Sequence, residues 1–217
     1  MNTTRTAARR AARTGAATTA ALILAATGGI TAASAAGIPA LTTVAVRAAD
    51  RADDHNQADV TFAQEMIPHH RQAIVMSQMA RTHNASPEVK ALALKIQKAQ
   101  QPEIDTMTGW LTAWDEKVPQ GMGGMDDMNG MGHDDDDATS TPGMMNSQQM
   151  TNLNGTTGRA FDTMFLTMMI EHHEGAIDMA KTEQQQGSYT PAKDLATDII
   201  KTQTAEIAQM RTMLKSR

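Results

Sequence analysis

Phe62–Ala80 reads FAQEMIPHHRQAIVMSQMA, and Phe165–Glu183 reads FLTMMIEHHEGAIDMAKTE. Each carries a Met-Ile-X-His-His core, and after two more residues Ala-Ile-X-Met. The copies align at a constant offset of 103, Phe62 onto Phe165, Met66 onto Met169, His69 onto His172 and Met76 onto Met179. Within the first copy Phe62, Met66, His69, Ala73, Met76 and Ala80 recur at steps of four and three residues. Such spacing puts them on one face of an α-helix.

The repeat extends well beyond the histidines. Asn84–Val89, NASPEV, breaks the first helix, with Ser86 placed as an N-cap and Pro87 at the first position of the next helix. That second helix is expected to run to about Trp114, with Leu92, Ile96, Gln100, Glu103, Met107, Trp110 and Leu111 along its stripe. Pro102 should bend it or leave one carbonyl unpaired. Gly187–Pro191, GSYTP, breaks the chain again, and the last helix is expected from Pro191 to about Lys215. Its stripe of Leu195, Ile199, Gln203, Glu206, Met210 and Leu214 repeats Leu92, Ile96, Gln100, Glu103, Met107 and Leu111 at the same offset. Two like hairpins bury their apolar faces best against each other. The expected fold is all-α, an antiparallel four-helix bundle with a pseudo-twofold axis.

Composition narrows the chemistry. The 217 residues include 18 Met and no Cys. Disulfides, thiolate zinc sites, iron–sulfur centres and thiol nucleophiles are thereby excluded. A net charge of -5, with no basic face beyond the N-terminus, argues against a nucleic-acid partner. Aromatic residues are only 3% of the chain, too few for a large aromatic β-core.

Residues 1–36 have the layout of a secretory signal peptide. Arg5, Arg9, Arg10 and Arg13 precede a weakly apolar run that ends in Ala33-Ser34-Ala35. The alternative is an uncleaved membrane anchor, for which the Gly and Thr content is unfavourable. An extracytoplasmic location follows, either secreted or associated with the cell envelope. Residues 37–58 are expected as a disordered spacer, and 59–217 as the helical domain.

Residues 118–158 read as a flexible linker within that domain. GMGGMDDMNGMGHDDDD, from Gly121 to Asp137, is too rich in Gly and Asp for a helix or a core. Its Met122, Met125, Met128 and Met131 recur every third residue, with His133 close behind. Two readings stand side by side: a solvated acidic loop, or a second site wrapping a soft cation.

A single His on a buried helical face is usually a core histidine, and a Met stripe usually fills gaps. Here two adjacent histidines occur twice with Met in register. Four buried imidazoles need hydrogen-bond partners or a metal. Imidazole suits copper, zinc, nickel and iron, whereas thioether suits copper(I) and its mimic silver(I). An exported, Met-rich, Cys-free chain fits copper better than zinc, with copper(I) favoured and copper(II) also compatible.

The doubled Met-Ile-X-His-His-X-X-Ala-Ile-X-Met phrase, on four expected helices behind an export signal, resembles the DUF305 family over about Asp59–Lys215. The resemblance implies a ferritin-like four-helix bundle and an exported copper-binding protein linked to copper tolerance. It implies ligands at Met66, His69, His70, Met76, Met169, His172, His173 and Met179. This chain departs from a strict repeat where Glu171 stands for Pro68, so the half-sites are expected to differ in affinity. The role of the Met-rich insertion does not carry over from the family.

Two other classes compete. A ferritin-like di-metal oxidase needs Glu-X-X-His on two helices, but three residues after Glu65 comes Pro68, and after Glu171 comes Glu174. Glu103 and Glu206 are placed instead to support the histidines from behind. A metal-independent helical interaction module would use the histidines as a switch titrating near ~6.5. No nucleophile–base–orienter set is recognisable, so no enzyme is expected. Copper sites could form within one chain or in a homodimer, and a protein that receives copper is compatible with the reading.

Overall fold

The computed structural model describes residues 54–121 and 141–216. The leader, residues 37–53 of the spacer, and Met122, Met125, Met128, Met131 and His133 lie outside the described residues. Among the described residues there are five helices: α1 (Gln57–Met79), α2 (Pro87–Ala113), α3 (Ser147–Asn154), α4 (Gly158–Gln186) and α5 (Thr190–Lys215). None is long and apolar enough to cross a membrane.

Helix α1 starts two residues before the expected Asp59, because Asn56 and Asp59 form a capping box. At the second start Ser86 caps α2 by accepting from the Val89 N–H, with Pro87 in the first turn, as the sequence indicates. Pro102 does not divide α2. It lies on the exposed face beside exposed Lys98, where a carbonyl left without a partner meets water.

α1 packs on α2 and α4 on α5, and the hairpins meet chiefly through α1 and α4. Two buried aspartates, again 103 apart, tie the hairpins together. Asp59 accepts from the Ser188 N–H at 3.2 Å and the Tyr189 N–H at 3.0 Å, so the start of α1 braces the α4–α5 turn. Asp162 accepts from the Ser86 N–H at 3.2 Å, bracing the α1–α2 turn from the start of α4. These reciprocal contacts make α1 and α4 antiparallel. At one end of the bundle Trp110 and Trp114 from α2 meet Tyr189 edge-on.

The core has two apolar clusters. One includes Phe161, Phe165, Met76, Met169, Met210 and Leu153; the other includes Phe62, Met66, Ile104, Met107, Leu111 and Met179. The doubled histidines fall between them along both α1 and α4. They form a polar layer across an otherwise apolar bundle.

The reading of 118–158 as a linker without elements needs correction at its C-terminal end. Asn146 and Gln149 form a capping box that starts α3, and Met145, Met150 and Leu153 are buried against α4. Three apolar anchors within nine residues outweigh the polar composition around them. Leu153→Ala should therefore cost about 2–5 kcal/mol in urea unfolding. A change below half a kcal/mol would return the segment to the status of a loop.

Candidate metal centre

His69 and His172 meet on the pseudo-twofold axis, with ring centroids 3.7 Å apart and ring planes tilted by 36°. Each lies 6.4 Å from the next histidine on its own helix. All four imidazoles are completely buried. The sequence places His70 and His173 about 100° round from the interior stripe, yet both are interior, because the second helix of each hairpin covers that flank.

Hydrogen-bond support fixes the tautomer of three of the four rings. His70 Nε2–H donates to Glu103 Oε2 at 2.6 Å, and His173 Nε2–H donates to Glu206 Oε2 at 2.9 Å. Glu103 and Glu206 thus stand where the repeat register puts them. With Nε2 protonated, Nδ1 of each ring keeps its lone pair, the arrangement by which carboxylates orient metal-binding imidazoles. His69 Nε2–H donates to the Pro142 carbonyl at 3.1 Å, which frees its Nδ1 in the same way. His172 has no hydrogen-bond partner at either nitrogen. Five ring nitrogens in this buried layer are therefore unpartnered, four of them Nδ1.

Burial holds the His69 and His172 rings well below the ordinary histidine range, and their neighbouring imidazoles push the same way. Burial also lowers His173, although its bond to Glu206 opposes the shift. Neutral rings with free lone pairs are donors for a soft cation. The halves are not equivalent. Glu206 is 2% exposed and also faces Lys95 Nζ at 3.4 Å, whereas Glu103 is 17% exposed. Burial alone would raise the Glu206 pKa, but His173 and Lys95 outweigh it and hold the carboxyl low.

Met66 and Met76 stand before and after His69 along α1, as Met169 and Met179 stand before and after His172 along α4. Met66 and Met76 fall on opposite sides of the layer. Met66, Met107 and Met179 belong to one apolar cluster, and Met76, Met169 and Met210 to the other, so each cluster takes methionines from both hairpins. Met107 and Met210 were legible as stripe positions but not as members of the clusters that flank the layer. Among the described residues no three His, Cys, Asp or Glu side chains converge as a metal site. Gln100 and Gln203, one turn before the two glutamates, are also buried with unpartnered amide atoms.

The family model for DUF305, described as a domain of unknown function, matches residues 59–214. The chain belongs to the DUF305 family. A crystal structure of a DUF305 protein from Streptomyces coelicolor is 30% identical, with a TM-score of 0.63 over 73% of this chain and 93% of that one. CopM in its Cu(II)-bound form is 32% identical, with a TM-score of 0.58 over 73% of this chain and 96% of that one. CopM in an Ag-bound form is 30% identical, with a TM-score of 0.55 over the same shares. No curated protein matches this chain. As a DUF305 bundle it has helical architecture throughout its described residues, in keeping with these relatives.

Proposed function

We propose that this DUF305 protein is an exported copper-binding protein that sequesters copper or passes it on, acting as a carrier and not as a catalyst. One observation carries the reading: a buried layer of four imidazoles with five unpartnered nitrogens, lying between two apolar clusters that both contain methionines. Leaving so many polar atoms unsatisfied costs stability unless they serve a ligand. His69, His70, His172 and His173 supply nitrogen, and Met66, Met76, Met169 and Met179 supply sulfur. CopM, similar in fold, has been solved with Cu(I), Cu(II) and silver, which supports the same cargo here. The arginine-led leader supports export, as does likeness to a relative described as a candidate secreted protein.

Copper(I) or silver(I) at a hundred times its dissociation constant should stabilise the fold by about 2.7 kcal/mol. For a chain of this length the Tm should rise by about 5–10 °C. Magnesium should give no shift, since the layer offers no oxygen cage. Differential scanning calorimetry with each ion, paired with metal-to-protein ratios under reducing and oxidising conditions, tests this. Tm values indifferent to copper(I), copper(II) and silver(I) would remove the proposal.

A further inference from the structure

Among the equivalent positions at which the two copies differ are Gln72 in α1 and Gly175 in α4, and the same short segment crosses both. Buried Gln72 donates from Nε2 to the Met145 carbonyl at 2.8 Å and accepts from the Met145 N–H at 2.7 Å. Gly175 makes room for the strand of chain that results. A Cβ there would lie 2.0 Å from the Pro142 carbonyl oxygen, and backbone cannot yield as a flexible side chain does. Gly143 has φ +77, and a Cβ on it would come within 2.7 Å of the Glu171 carbonyl. Thr141–Met145 is thus a strap fitted closely over the histidine layer, and its Pro142 carbonyl occupies His69 Nε2.

Pro142 has a second face. It lines a surface groove of about 420 Å³ together with Phe62, Glu65, Asp178, Met179 and Glu183. One residue therefore separates a groove with carboxylates at its rim and a thioether in its wall from a buried imidazole.

The geometry points to a gated passage: a soft monovalent cation collects in this groove, passes Met179, and reaches the histidine layer when the Thr141–Met145 strap lifts Pro142 from His69. This inference rests on the copper-binding reading for its cargo. The gate itself is a property of the metal-free protein. The pseudo-symmetric partner His172 has no such strap contact, so the two halves of the layer load unequally. Gln72 acts as a positioning residue through the strap and is not itself a ligand.

Gln72→Leu keeps the buried volume and removes both bonds to Met145. Losing two buried hydrogen bonds should raise the open population about tenfold or more. Three readouts follow. The Met145 amide should exchange faster, His69 should be carbethoxylated faster by diethyl pyrocarbonate, and silver(I) should both bind and leave faster. Silver affinity should move far less than either rate. Carrying Glu65→Gln with Asp178→Asn tests the groove with the strap intact. Silver uptake at low salt should slow by about threefold to tenfold, with the difference shrinking as salt is added.

Silver uptake at the wild-type rate in a Gln72→Leu protein whose Met145 amide does exchange faster would overturn the gate. Should Gln72→Leu lose its helical fold, the surface pair decides, and uptake indifferent to its charge overturns the passage. A wild-type protein that binds no silver at equilibrium refutes the copper reading instead. Diethyl pyrocarbonate still reports on the strap in that case, and unchanged His69 labelling on strap release would sink it.

Discussion

Urea unfolding of the metal-free protein, kept in chelator, should show greatest stability at about pH 6.5–7, with a steep acid limb and a shallower alkaline one. The acid limb comes from His69, His172 and His173, whose folded pKa values burial holds below the ordinary histidine value of 6.5. Below that pH the unfolded chain takes up protons that the folded layer refuses. Their stabilisation is thus present above 6.5 and lost as pH falls. The alkaline limb comes from Glu183, which is 1% exposed and pushed up to about 8 by burial and by Asp59 beside it. Asp59 already accepts from the backbone of Asn56, Ser188 and Tyr189, and these bonds with Glu183 hold it below the ordinary range despite burial. Glu183 is therefore the protonated partner. Its contribution is full below pH 4.5 and is lost as pH rises toward 8.

Each proton of difference is worth about 1.4 kcal/mol per pH unit. Three histidines against one glutamate limit the net acid slope to at most about 2.7 kcal/mol per unit, and the alkaline slope to at most about 1.4, with the opposite sign. Glu183→Gln keeps a donor for Asp59 and should flatten the alkaline limb while steepening the acid one, because the opposing glutamate proton is gone from both. Stability that keeps climbing from pH 7 to 9 would contradict the Glu183 assignment, and stability that does not fall between pH 6.5 and 5 would contradict that of the histidines.

The hairpins were legible because burial periodicity repeats at a fixed offset. Residues such as Leu92 and Leu195 share a register whatever they touch. Glu103 and Glu206 could be placed behind the histidines for the same reason. Periodicity names a face, however, and not the partner across it. It could not tell that Met66 would share a cluster with Met179, and Met76 with Met169. That exchange follows from the antiparallel crossing of α1 and α4, set by the reciprocal Asp59 and Asp162 braces.

The strap was hidden for a different reason. It is irregular chain inside a Gly-rich stretch, held by backbone contacts at Pro142, Gly143 and Met145 that no side-chain pattern announces. The mismatch of Gln72 with Gly175 was the available signal. In a faithful repeat, a lost Cβ opposite an added amide marks where something asymmetric crosses the axis.

His172→Leu separates ligand from core, because the two roles predict different pairs of results. Neither nitrogen of His172 has a hydrogen-bond partner, although the ring is fully buried. A buried polar group left unsatisfied costs about 1–3 kcal/mol, so leucine, similar in size, should stabilise the metal-free protein by about that amount. It should also ease the acid limb, since one of the three refused protons disappears. The same substitution should abolish most of the silver-induced rise in Tm, because the ring least committed to protein partners is the one freest to bind. A variant that is more stable without metal and nearly blind to silver carries its imidazole for the cargo's sake. If the leucine protein instead gains stability and keeps the full silver response, His172 is only an ill-satisfied core residue. The cation must then be gripped by His70, His173 or the methionines without the axial pair.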